Sequence, residues 1–308
     1  AVVARTRWGA RRPEHPRPVR GPLGVATPLG RVLFMGSPQW WEQSWTDLRV
    51  QERATSGRRI AVVTLDLPDK RNAMSDAMTD SWARLIPLLR EDAELAAVVV
   101  TGAGPGFCAG GDLGWIVKDP DAQVIDLRAR MLTFYRSWLS ITTLEVPTIA
   151  AMNGHAIGAG FALALACDIR YAAAEAKLGV PFASLGLHPG MATTWSLPNV
   201  AGFAVARDLL LTGRLVSGEE ALRLGLVSRA LPAAEVLTEA LAAADRIAAA
   251  APIATRLTVA ALRGGGHRSF EDALEWEALA QAVTLATSDM HEGIAAAAER
   301  RTPVFRGR

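Results

Sequence analysis

Residues 147–168, PTIAAMNGHAIGAGFALALACD, decide how this chain is read. Pro147 to Met152 is an apolar run of strand length, and from Gly158 to Ala166 the residues are glycine and alanine with large apolar residues between them, which predicts a buried helix. The two are joined by Asn153, Gly154 and Gly158, so a strand hands over to a helix through a glycine-rich turn. The same arrangement occurs upstream. Ala97 to Thr101 (AVVVT) predicts a buried strand, and residues 102–113, GAGPGFCAGGDL, follow it directly. Glycine permits backbone conformations and close approaches that a side chain forbids. The first N–H groups of a helix have no partner within it and face toward negative charge. Two such groups aimed at one point would form an oxyanion hole. Two other readings stay open on pattern alone. Tight turns that pack a helix on a sheet would have the same composition. A dinucleotide fingerprint needs G-x-G-x-x-G, and the proline and glycine spacing at residues 102–106 fit it poorly.

Outward from this centre, Leu48 to Arg53 alternates and Ile60 to Leu65 (IAVVTL) is β-branched, so both predict strands, joined through Ser56-Gly57. Ser75 to Arg90 has helical spacing with Ser75 or Asp76 as N-cap. A helical stretch is expected from Ala122 to Thr143, a short strand from Ile169 to Ala172, and then helices over Phe203–Leu211, Gly218–Leu224, Ala233–Ala261 and Phe270–Arg300. Alternating strands and helices followed by a run of helices predict an α/β core with a helical C-terminal region.

The 308 residues are 50% hydrophobic and 21% charged with a net charge of +2, enough apolar material for a large core. The excess arginines lie near the two ends, so no nucleic-acid footprint is read from them. No apolar run spans a bilayer, and no membrane association is expected. The N-terminus has no signal-peptide pattern, and a cytoplasmic location is expected. Cys108 and Cys167 sit among small apolar residues and are expected to be buried reduced thiols. Residues 1–46 have no period of 2 or 3.6 and crowd Arg with Pro, so they are expected to be a disordered or non-native extension, with a natural start near Met35. Trp40, Trp41 and Trp45 are the exception, a set of aromatics suited to pack on the folded body. The core is expected over residues 47–250 and the helical region over residues 251–308.

Seven landmarks follow one another in a recognisable order. They are Lys70-Arg71-Asn72-Ala73-Met74; Phe107 to Asp112; Pro147 to Gly160 running into Cys167-Asp168; Leu185 to Gly190; Leu211 to Arg214; Ala221 to Val227; and Ala286 to Asp289 with Gly293. In these, the sequence resembles the enoyl-CoA hydratase/isomerase (crotonase) superfamily from about Leu48 to Phe305. The resemblance implies a spiral of ββα units in four turns with a helical C-terminal trimerisation region, giving a homotrimer or a hexamer built as a dimer of trimers. It implies an acyl-CoA thioester as substrate, with coenzyme A part of that substrate and no separate cofactor or metal. The oxyanion donors are then the backbone N–H groups of Gly111 and Ala159. Substrate contacts fall on Lys70, Arg71, Ala73, Ala109, Asp112 and Leu113, with Ala162 and Phe182 at the acyl end.

Those last two positions depart from the family pattern. Hydratases of this family carry one glutamate three residues after the second oxyanion donor and another twenty residues further on, a pair suited to removing one proton and delivering another. Here the positions hold Ala162 and Phe182. The aspartate used by diene-isomerising, dehalogenating or hydrolysing relatives is replaced by Gly190, and the histidine of decarboxylating relatives has no match at Gly111. His188 is the candidate proton carrier that remains. The expectation is an acyl-CoA enzyme that stabilises a thioester enolate without the usual glutamates. The alternatives are a non-catalytic acyl-CoA binder, favoured by an apolar pocket around Ala162 and Phe182, and a carboxyacyl-CoA decarboxylase, favoured by His188 or an arginine facing the acyl end.

Overall fold

The structure, a computed structural model, describes residues 39–112, 114, 121–265 and 269–308. Its frame is a six-stranded sheet in the order β1 (Leu48–Thr55), β2 (Arg58–Leu65), β3 (Leu95–Gly102), β5 (Thr148–Met152), β7 (Ile169–Ala173) and β10 (Arg229–Leu231). β1 and β2 form an antiparallel hairpin, and every later neighbour is parallel. β3 is buried along its whole length, as expected of a parallel strand covered on both faces, and its sequence LAAVVVTG is accordingly apolar throughout.

A second sheet of four short strands lies beside the first: β4 (Gly106–Cys108), β6 (His155–Ile157), β8 (Lys177–Gly179) and β9 (Val216–Ser217). The chain therefore winds as a spiral. After β3 it enters β4 and then helix α2 (Val124–Leu139); after β5 it enters β6 and α3 (Ala159–Ala166); after β7 it enters β8 and α4 (Thr193–Thr212). Successive corners are tied by asparagines. The Asn72 amide donates to the carbonyls of Ala103 and Gly106, each at 2.9 Å, while its oxygen accepts from Leu67 N–H. The Asn153 amide donates to Gly104 O at 2.9 Å, and its oxygen accepts from Gly102 N–H at 3.1 Å. These bonds satisfy corner backbone groups that no ladder reaches.

Helix α1 (Asp76–Glu91) starts at Ser75, whose Oγ accepts from Met78 N–H at 3.0 Å. Its buried Trp82 stacks on Trp138 of α2. The long helices expected from periodicity are each broken. Ala233–Ala261 is two helices, α6 (Ala233–Ala248) and α7 (Pro252–Ala260), because Pro252 opens a new first turn. Phe270–Arg300 is α8 (Phe270–Leu285) and α9 (Ser288–Glu299), with Thr287 as a new N-cap accepting from Met290 N–H. Between α4 and β10, helix α5 (Gly218–Arg223) begins at an N-cap serine, Ser217. The helix expected at Phe203 is the second half of α4, which kinks at Gly202.

Trp40 is 3% exposed and its indole N–H donates to Asp92 at 3.0 Å. Arg59 grips the same carboxylate with two nitrogens, at 2.6 and 2.9 Å, and Glu94 N–H adds a fourth bond. Burial raises the Asp92 pKa, but the Arg59 guanidinium, the Trp40 indole and the Glu94 N–H outweigh it and hold the carboxyl below its usual value. A depressed native pKa adds stability in full above the unfolded carboxyl's value of about 3.9, and that stability is lost as pH falls through the native value. Asp92→Ala is expected to cost about 2–3 kcal/mol at neutral pH. Urea melts across pH 3–7 check this, with the gap between the variant and the parent closing toward the acid end.

Candidate active site

The site forms where the second glycine segment meets the N-terminus of α3. The segment of residues 109–112 that follows β4 is laced to the segment after Lys70: Ala109 N–H donates to Arg71 O at 3.0 Å, Met74 N–H to Gly110 O at 2.8 Å, and Asp112 N–H to Met74 O at 3.2 Å. Gly111 pairs with Met74 as a parallel bridge. In such a bridge the flanking residues bond the partner, so the N–H of Gly111 itself points the other way. Ala159, the first residue of α3, lies close to this segment, its nitrogen 3.3 Å from where a Cβ on Gly110 would be, and its N–H is one of the groups a helix start leaves without an internal partner.

The two segments approach backbone to backbone. A Cβ placed on Gly110 (φ +102°) would stand 2.8 Å from Ile157 O and 3.3 Å from Ala159 N. A Cβ on Gly160 would stand 2.4 Å from Cys108 O. Gly111 is different, because a Cβ there would meet only Phe134 Cζ, at 3.7 Å. α3 is buried from Ala159 to Leu165 and carries no charged side chain, so the positive end of its dipole is not offset within the helix.

Below this junction lies a groove of about 250 Å³, lined by Pro68, Arg71, Ala109, His155 and Ile157 among others. Arg71 takes a left-handed conformation (φ +53°) at the end of a short 3-10 turn, and its side chain is exposed. Lys70 Nζ is 3.7 Å from Asp112 Oδ2, and Asp112 Oδ1 accepts from Gly114 N–H at 2.9 Å. Ala73 N–H closes on Lys70 O at 3.1 Å. Leu113 lies outside the described residues. His155 Nδ1 accepts from Lys177 N–H at 2.9 Å, an arrangement that links β6 to β8.

At the other end, the Phe182 ring lies 3.8 Å from where a Cβ on Gly158 would be, against the turn into α3. Ala162 is 1% exposed, one turn into α3. A cavity of about 570 Å³ runs along this helix, lined by the apolar Ala162, Leu165, Met191 and Trp195 together with Asp168, Arg170 and Arg263 among others. His188 is exposed on the loop before Gly190, with Nδ1 2.8 Å from Pro189 O. Cys108 and Cys167 are free and buried, and burial pushes both thiols up to about 12, so neither is a ready nucleophile. Among the described residues no three His, Cys, Asp or Glu side chains converge on a possible ion site. Residues that periodicity did not single out also enter the site. Phe134 lies against Gly111, and the Tyr135 hydroxyl lies against Gly190.

The profile of the enoyl-CoA hydratase/isomerase family matches residues 55–308. The chain belongs to the enoyl-CoA hydratase/isomerase family. It is 36% identical over 248 residues to a Mycobacterium bovis protein named as a probable enoyl-CoA hydratase, covering 80% of this chain and 95% of that one. It is 33% identical over 252 residues to the 2,3-dehydroadipyl-CoA hydratase of Escherichia coli, covering 82% and 96%. The crystal structure of enoyl-CoA hydratase from Bacillus anthracis superposes with a TM-score of 0.79 at 31% identity, covering 85% of this chain and all of that one. The spiral of ββα units is thus the crotonase fold, and the protein is an acyl-CoA enzyme of this family. No helix among the described residues is long and apolar enough to cross a membrane.

The close approach gives a ranking of glycine substitutions. Gly110→Ala and Gly160→Ala each force backbone against a new Cβ and are expected to cost about 2 kcal/mol or more. Gly111→Ala meets one movable ring and is expected to cost under about 1 kcal/mol. Chemical denaturation of the three variants checks the order, and a Gly111→Ala loss as large as the other two would contradict it.

Proposed function

We propose that this protein binds an acyl-CoA thioester with its carbonyl oxygen between the N–H groups of Gly111 and Ala159, and stabilises the enolate formed from it. The observation that carries this reading is the approach of Gly110 to Ala159 N, which brings a strand N–H with no ladder partner beside the open end of a buried helix. Donors fixed in this way need no reorganisation as charge develops, and each is worth about 3–4 kcal/mol in comparable sites. The CoA portion would lie in the groove along Lys70, Arg71, Ala73, Ala109 and Asp112, where two cations can meet its phosphates. Coenzyme A enters as part of the substrate, and no separate cofactor is assigned. A homotrimer or a dimer of trimers agrees with the exposed apolar residues Phe203 on α4 and Phe270, Leu279 and Ile294 on the C-terminal helices. The expected location is the cytoplasm.

Ala162 and Phe182 stand where the family's hydratases carry their glutamates, and neither can transfer a proton. Addition of water to crotonyl-CoA is therefore expected to run at least about 100-fold below a two-glutamate enzyme. Loss of the enoyl-thioester absorbance at an ordinary hydratase rate would overturn this. A second reading, an acyl-CoA binder without turnover, is favoured by the burial of Ala162 in the apolar helix α3 and by the exposure of His188. Both readings require the oxyanion hole. Calorimetric titration with butyryl-CoA and with its S-butyl thioether, which lacks the carbonyl, tests it directly. The thioester is expected to bind about tenfold tighter, a difference of roughly 1.4 kcal/mol; equal affinities would remove the hole from the account.

A further inference from the structure

The inference rests on the acyl-CoA reading above and concerns His155, in the groove that would take the pantetheine arm of CoA. β6 leads from His155 through Ile157 toward Ala159 at the start of α3, and β4 runs parallel beside it with Gly106 opposite His155. A Cβ on Gly154 would stand 2.0 Å from Pro105 O and 2.9 Å from Gly106 Cα, so the backbone that carries His155 is packed hard against the neighbouring corner. Side chains alternate along a strand. Ala156 is fully buried, while His155 and Ile157 both line the groove of about 250 Å³.

The hydrogen bond from Lys177 N–H fixes the chemistry of the ring. A ring nitrogen that accepts carries no proton, so with Nδ1 accepting at 2.9 Å the neutral imidazole holds its proton on Nε2. The same bond sets the ring's orientation between β6 and β8. Nε2–H has no hydrogen-bond partner among the described residues, and the side chain is exposed. It is a neutral donor with a set direction. Among the residues lining the groove, Arg71 is the other polar side chain, and the rest of the wall is proline, alanine, glycine and isoleucine. A phosphate gains more from the guanidinium, through charge-assisted bonds, than from a neutral N–H. The acceptor that suits His155 is a neutral carbonyl oxygen.

We propose that His155 is a substrate-binding residue whose Nε2–H donates to the outer amide carbonyl of the pantetheine arm, so that the protein recognises the arm itself apart from the nucleotide. Reach supports that amide. In an extended arm its carbon is about nine bonds from the thioester carbon, the length of about three extended residues or roughly 10 Å. His155 precedes Ala159 by four residues, which spans at most about 14 Å of extended chain, and the turn at Gly158 (φ +56°) shortens that span toward the same length. The inner amide, roughly 6 Å from the thioester, falls short of His155. The first phosphorus, roughly 16 Å away, lies beyond it.

The test measures binding of butyryl-CoA, its S-butyl thioether and butyryl-pantetheine, which lacks the nucleotide and its phosphates, to the full chain by calorimetry and ligand-observed NMR. His155→Phe keeps a ring and removes both nitrogens. It is expected to weaken all three ligands by about tenfold and to leave the thioester-to-thioether ratio unchanged. His155→Gln, whose amide can donate from nearly the same place, is expected to bind within about threefold of the wild type. Lys177 is exposed, so water can replace the acceptor its N–H loses, and both variants are expected to fold. Full affinity in His155→Phe would overturn the assignment, as would a His155→Gln no better than His155→Phe. A loss seen with butyryl-CoA alone would move His155 to the nucleotide and also overturn it, and so would a wild type that ignores butyryl-pantetheine. Equal affinities for thioester and thioether would remove the oxyanion hole, yet an equal tenfold loss of both in His155→Phe would still support the contact. A protein that binds no acyl-CoA at all would sink both proposals.

Discussion

The contact between the backbone of residues 108–111 and the first turn of α3 is the constraint on which the rest of the site depends. At Gly110 and Gly160 the two segments approach more closely than any side chain allows, and this contact joins two successive turns of the spiral. It is made by main chain on both sides, Gly110 against Ile157 O and Ala159 N, so no rotatable side chain enters it. Side chains hop between rotamers, whereas a main chain pinned by β pairing on one side and a buried helix on the other has one arrangement.

The remaining features of the site serve that contact. The residue 71–74 segment takes up the hydrogen bonds of Ala109, Gly110 and Asp112 and leaves the Gly111 N–H outside this pairing. The asparagines at residues 72 and 153 satisfy the corner carbonyls that the tight winding would otherwise bury unpaired. Asp168, two residues beyond α3, accepts from Thr148 N–H and from two nitrogens of Arg263, which ties the chain leaving the helix to β5. The frame is therefore that of the enoyl-CoA hydratase/isomerase family. The cavity beside Ala162 carries the apolar Leu165, Met191 and Trp195 together with Asp168, Arg170 and Arg263.

Much of the frame was legible in the residues. β-branched runs mark β2 and β3, Ser75 marks the start of α1, and the glycine-rich hand-overs mark the corners. Other signals were present and outweighed. Pro252 and Thr287 each open a new helix, yet the apolar spacing on either side reads as continuous, because periodicity is blind to a break that preserves phase. The strands of the second sheet are two or three residues long, too short for any period to register.

The sequence by itself determined the family, the strand-to-helix glycines and the absence of glutamate at positions 162 and 182, since each of these is a matter of residue identity and order. Only the tertiary structure decided that Gly110 abuts Ala159, that Phe134 covers Gly111 and that the Tyr135 hydroxyl occupies the space beside Gly190. Such contacts join residues from about twenty to more than fifty positions apart. They are set by how one turn of the spiral stacks on the next, a packing relation that no local spacing encodes.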